Sequence, residues 1–125
     1  MIIITNNPLV RDYYSGINTI EMKFVDNIGY MDVLKESRNL IHMGMVLLTH
    51  PLSGSVKPNE TPYKPIALAD SALHEIDSLW LIENAIGTYI KFERNKRLPQ
   101  WTERVKSDFM IIDFDLFKNA LNIKQ

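Results

Sequence analysis

The chain has 125 residues, no cysteine, 14 Lys and Arg against 15 Asp and Glu, and a formal net charge of −1. That length suits one domain with its own core, and the missing thiols exclude disulfides, a cysteine nucleophile and cysteine-ligated zinc or iron–sulfur clusters. The balanced charge removes the global field that nucleic-acid binding calls for.

Ile2-Ile3-Ile4 is a β-branched run that reads as a buried strand. Asn7 and Pro8 behind it form a helix start, one as cap and the other in the first turn, so a helix is expected over 8–15 with Gly16 as its stop. The opening residues lack a basic leader, and no apolar run nears the roughly 20 residues of a membrane span, so a cytoplasmic address is expected. Residues 20–25, IEMKFV, read as a second strand closed by Asp26, Asn27 and Gly29. From Tyr30, the apolar positions Val33, Leu34, Leu40 and Ile41 paint one helical stripe, and Gly44 supplies the C-terminal stop. Residues 45–49 form the next strand, short and continuously apolar, as expected for one covered on both faces.

After a polar, proline-rich segment, residues 65–69 read as another strand, with Pro65 at its tolerated first position. Asp77 or Ser78 caps a long helix reaching Arg94, with Leu79, Ile82, Ile86, Tyr89 and Ile90 on one face, and the basic run Lys91 to Arg97 suits its negative pole. Leu98-Pro99 breaks the chain before a helix over 101–108, and the tail mixes a strand-like FMIID with a helix-like FDLFKNALNI. Alternating strands and helices predict a single three-layer α/β domain, a mostly parallel sheet flanked by helices, with no internal boundary.

In such sheets, ligands gather at the carboxyl ends of strands. Thr5, Asn6 and Asn7 follow the first strand, and Thr49 and His50 follow the third, so a parallel arrangement puts both on one edge. The segment between 49 and 65 adds donors for an anion. Ser53 and Ser55 flank Gly54, which permits close backbone approach, and Lys57 brings charge; Asn59, Glu60, Thr61 and Lys64 extend the polar surface. His50 suits proton transfer or hydrogen bonding near neutral pH. A structural or partner-docking loop explains the same composition, since Pro51, Pro58, Pro62 and Pro65 stiffen the backbone and hydroxyl and amide side chains satisfy turns.

The rest of the chain offers less. Glycine count and spacing fit neither a P-loop nor a dinucleotide fingerprint, so no cofactor is expected. His42 and His74 lack carboxylates at metal-ligand spacing, and no metal site is expected. Asp12, Asp26 and Asp32 read as helix or turn acids, and Trp80 and Trp101 as core or interface anchors.

The opening MIIITNNPLV together with LLTHPLSGSVKPNETPYK resembles the GrdX family, small proteins associated with glycine, sarcosine and betaine reductase systems. DVLKESRNLIHMG before the loop and LWLIENAIGTYIKF after it extend the resemblance along the whole chain. The signature falls on Thr5 to Pro8 and on the loop from Thr49 to Lys64. The resemblance implies an accessory role in amino-acid fermentation, with reductase components as partners, and carries no catalytic residue with it. The alternative is a domain, either a binding module or a small enzyme, that takes a small phosphorylated or carboxylated metabolite through the 49–64 loop.

Overall fold

The computed structural model describes residues 1–52, 61–70, 77–95 and 100–124, the side chains of 94, 95 and 122–124 excepted. Strand β1 (Ile2–Thr5) runs into helix α1 (Pro8–Tyr14). Asn7 stays extended, at φ −96° and ψ 114°, and its Oδ1 accepts from the Leu9 N–H at 3.0 Å, satisfying one of the donors a helix start leaves open. Strand β2 (Glu21–Phe24) and helix α2 (Met31–His42) follow. Helix α2 ends where the Gly44 N–H reaches the Ile41 carbonyl and the Met45 N–H reaches that of Leu40, at 3.0 and 3.1 Å. Gly44 sits at φ +104°, the left-handed position this paired ending requires. Strands β3 (Val46–Leu47) and β4 (Pro65–Ala69) and helices α3 (Ser78–Asn95) and α4 (Glu103–Lys124) complete the order.

The four strands lie in the order β2-β1-β4-β3. Strand β1 is parallel to β2 but antiparallel to β4, and β3 is also antiparallel to β4, so the sheet is mixed rather than mostly parallel. The reason lies in the connection. Parallel neighbours need a crossover, whereas the antiparallel neighbours β3 and β4 do not. Because β4 opposes both its neighbours, β1, β2 and β3 still point the same way.

Alternation along the strands sends side chains to two cores. Ile4, Ile66 and Leu68 pack with Val33, Leu34 and Ile41 of α2 and with Ile82, Ile86 and Tyr89 of α3. Ile3 and Ala67 pack with Val10 and Tyr14 of α1 and with Phe117 and Leu121 of α4. Aromatic rings meet edge to face in both, Tyr30 with Tyr89 at 4.8 Å and Tyr14 with Phe117 at 5.8 Å.

Two expectations are corrected here. FMIID is no strand: α4 is one helix of 22 residues, and Ile111 and Ile112 stand 55% and 52% exposed while Phe117 and Leu121 are buried. A short apolar run cannot tell strand from helix, and the burial that matters here repeats at helical steps. On α3, Asp77 caps, its Oδ1 accepting from the Trp80 N–H at 3.1 Å. Leu79 is nonetheless 42% exposed and Ala85 takes its place in the core; Trp80, at 62%, is no core anchor. The break at Leu98-Pro99 lies outside the described residues. No helix among the described residues is long and apolar enough to cross a membrane.

Candidate functional site

The C-terminal end of β1 carries three buried polar residues in a row, Thr5, Asn6 and Asn7. The Thr5 hydroxyl accepts from the Asn7 N–H at 3.0 Å and turns the chain out of the strand. Asn6 then works as a clamp. Its Nδ2 donates to the Pro62 carbonyl at 2.7 Å, to that of Asn27 at 2.8 Å and to that of Gly29 at 3.3 Å, while its Oδ1 accepts from the Lys64 N–H at 2.9 Å. One carboxamide thereby ties the end of β1 to the loop before α2 and to the segment entering β4.

Asn7 works in the other direction. While its Oδ1 caps α1, its Nδ2 donates to the Met110 carbonyl at 3.0 Å and to Asp113 Oδ2 at 2.8 Å, anchoring the middle of α4. Buried amide groups engaged at both ends rigidify whatever they join.

The second segment emerges on the same edge. The Thr49 hydroxyl is buried and accepts from the Ala67 N–H at 3.1 Å, and the Leu48 N–H donates to the Ala67 carbonyl at 2.8 Å. On the other side of β4, Thr5 lies opposite Pro65. The ends of β1 and β3 therefore flank the first residues of β4, one strand apart. His50 is exposed, its Nδ1 accepting from the Leu52 N–H at 3.0 Å. Ser53, Gly54, Ser55, Lys57, Asn59 and Glu60 lie outside the described residues, as does His74. Lys64 is buried at the far end of that loop, its Nζ 5.4 Å from the centre of the Tyr30 ring. Thr61 is half-buried beside it.

Three residues belong to this edge that the sequence reading did not single out: Tyr30, Tyr63 and Asp113. Burial pushes the Asp113 carboxyl up to about 6, against the hydrogen bond from Asn7 and the charge of Lys64, which both favour its ionised form. Burial likewise lowers Lys64, with Asp113 pulling the other way. The Tyr30 hydroxyl is driven well above its ordinary value by burial, then by Tyr89 and Asp113. Tyr63 is raised by burial, with Lys106 acting against Glu103 and Asp113. A half-buried acid and a buried cation that sense each other thus belong to the edge where β1 ends and β4 begins. The signal for Asp113 was present in the sequence: on a helix, it shares a face with Met110, Phe117 and Leu121, where an acid is out of place.

Chemically, the edge offers a buried lysine, a carboxyl group raised to about 6, and side chains already fixed by backbone bonds. Among the described residues, no three His, Asp or Glu side chains stand close enough to hold a metal ion. Neither the curated proteins nor the solved structures include a match to the chain. A family model does match, described as GrdX-like protein and covering residues 2–122, and the chain belongs to that family.

Proposed function

We propose that the chain is an accessory protein of a glycine, sarcosine or betaine reductase system, acting in the cytoplasm beside the enzyme rather than performing its redox chemistry. The observation that carries this reading is the family match across residues 2–122. The absence of cysteine supports it, since the chain has no thiol with which to relay electrons. Helix α4 supplies a surface for docking a reductase component: Ile111, Ile112 and Leu116 are each more than half exposed. With the tagged chain as bait in a native extract, a reductase component is the expected catch, and Ile112→Asp with Leu116→Asp should lose it. If extracts that preserve reductase complexes yield none, the accessory role fails.

A second reading is favoured by the site itself: the edge where Thr5–Asn7 and Thr49–His50 flank β4 binds a small anion, with Lys64 as its charge and residues 53–60 as further donors. What supports it is the burial of Lys64 at the mouth of a polar loop, at the end of the sheet where backbone and side-chain donors gather. Thermal shift against sulfate, phosphate and short carboxylates is the direct test. Stabilisation that disappears in Lys64→Gln is expected; no shift with any anion refutes the reading. The two readings are compatible, because a docking protein can also sense a metabolite.

A further inference from the structure

Helix α4 runs for 22 residues, yet among its described side chains only Phe117 and Leu121 are buried. Helix α3, with 18 residues, buries Ile82, Ala85, Ile86 and Tyr89. A helix draws most of its stability from packing an apolar face, so what α4 buries leaves its length unaccounted for. A second apolar row runs along it. Val105, Phe109, Ile112 and Leu116 follow at steps of four, three and four, the spacing of a coiled-coil seam. The centre of this row lies roughly 130° round the helix from Phe117 and Leu121. Val105, Ile112 and Leu116 are 39%, 52% and 52% exposed, and Phe109 is half-buried.

We propose that a second copy of this chain covers the row, the two α4 helices packing antiparallel about a two-fold axis between residues 110 and 111. The row is self-complementary in that direction: Val105 meets the partner's Leu116 and Phe109 meets the partner's Ile112, and the axis repeats both pairs. Charge agrees. Arg104 and Asp115 are exposed on one edge of the row, at opposite ends of it, so antiparallel packing sets each Arg104 beside the partner's Asp115. Asp108, on the same edge, also approaches the partner's Asp115, and Arg104, one turn before it, stands beside both acids. A parallel pair instead turns Asp108 towards the partner's Asp113, acid against acid. Four side chains a copy fall short of the roughly 800 Å² a side of a standard interface, so the dimer is reversible and micromolar. The inference goes beyond the docking role given to α4 above. In the free protein the second copy holds the face, and a reductase component must displace it.

Sedimentation equilibrium of the purified chain from about 1 to 300 µM should show the mean mass rising from one chain towards two. Ile112→Asp should stay at one chain throughout. Arg104→Asp should weaken the dimer about five-fold or more, and adding Asp115→Arg to it should restore the affinity. Because the chain has no cysteine, its orientation can be read by cross-linking: Val105→Cys with Leu116→Cys should join two chains on oxidation, and neither alone should. A wild type of one-chain mass at every concentration overturns the proposal, as does a dimer that Ile112→Asp leaves intact. A failed charge rescue, or a link formed by Val105→Cys alone, overturns the antiparallel arrangement. Should Ile112→Asp fail to fold, the exposed charge pair decides. Capture of a reductase component is measured separately: a monomer that still captures one overturns only the dimer, and a dimer that captures none overturns only the accessory role.

Discussion

Replacing Asp113 with Asn should make the protein more stable at neutral pH, which is unusual for a residue buried within a hydrogen-bond network. Its carboxyl titrates at about 6 when folded against an ordinary value of 3.8, so the folded state holds a proton that the unfolded state has released anywhere between those limits. The unfolded chain then binds fewer protons, and stability falls as pH rises. The stability associated with the protonated acid is complete below 3.8 and gone once pH has passed the folded value. At about 1.4 kcal/mol for each tenfold displacement, the full loss is about 3 kcal/mol. Because Asp113 keeps part of its surface in solvent, that figure is a ceiling, and a net effect of about 1–2 kcal/mol is expected.

Asn mimics the protonated acid, since its Oδ1 can still accept from Asn7 Nδ2. The variant should therefore match the wild type near pH 4 and exceed it at pH 8, by roughly 4–8 °C in Tm. Urea denaturation at pH 4, 6 and 8, read by circular dichroism, tests this. Equal gaps between variant and wild type at all three values would show that Asp113 is not held in the raised state. A variant less stable at pH 8 would mean that the ionised carboxylate is a net stabiliser of the edge.

Asn7→Ala should cost about 1–2 kcal/mol through the lost helix cap, and should raise the Asp113 midpoint further, since the removed hydrogen bond favours the carboxylate; carbon NMR of the carboxyl would reveal an unmoved midpoint. Asn6→Ala should cost about 3 kcal/mol or more, because the buried Pro62 carbonyl and Lys64 N–H lose their partner together. Chemical denaturation would contradict this if the loss stayed under about 1 kcal/mol. Gly44→Ala adds a methyl group that meets nothing within 4 Å, so its cost of about 1–2 kcal/mol is the left-handed backbone alone, and a neutral outcome would refute that assignment.

Local chemistry made most elements legible in the sequence. Asn7-Pro8 marks the start of α1, the stripe from Val33 to Ile41 marks α2, and Pro65 opens β4 at its first residue, because caps, periodicity and proline act within a few residues of themselves. The direction of β4 was not legible, since pairing depends on which strand it lies beside. The one available hint was the polar, proline-rich sequence between residues 49 and 65, which carries no helical stripe. Asp113 escaped for a related reason: reading FMIID as a strand hid the helical face on which an acid stands among core residues. The roles of Asn6 and Asn7 were half visible, their place at a strand end being clear from the sequence while their partners lie 56 and 106 residues away.

Those two asparagines also explain why a buried polar edge forms here. Adjacent residues leaving a strand project to opposite sides, and here the first bonds to the loop before α2 and to the segment entering β4, while the second bonds to α4. Helices α2 and α4 pack on different faces of the sheet, so their side chains are kept apart by β1 and β4 along most of its length. Only past the end of β1 does that separation stop. There, Tyr30 from one side senses the charge of Asp113 from the other. A variant that swaps the two roles' chemistry, Asn6→Leu with Asn7 intact, should therefore keep α1 capped and α4 anchored while releasing Lys64 from its fixed position. Anion binding should weaken while the Asp113 midpoint changes less than it does in Asn7→Ala. If Asn6→Leu instead moves Asp113 as far as Asn7→Ala does, the two sides are not held independently, and the division of labour between neighbouring amides is wrong.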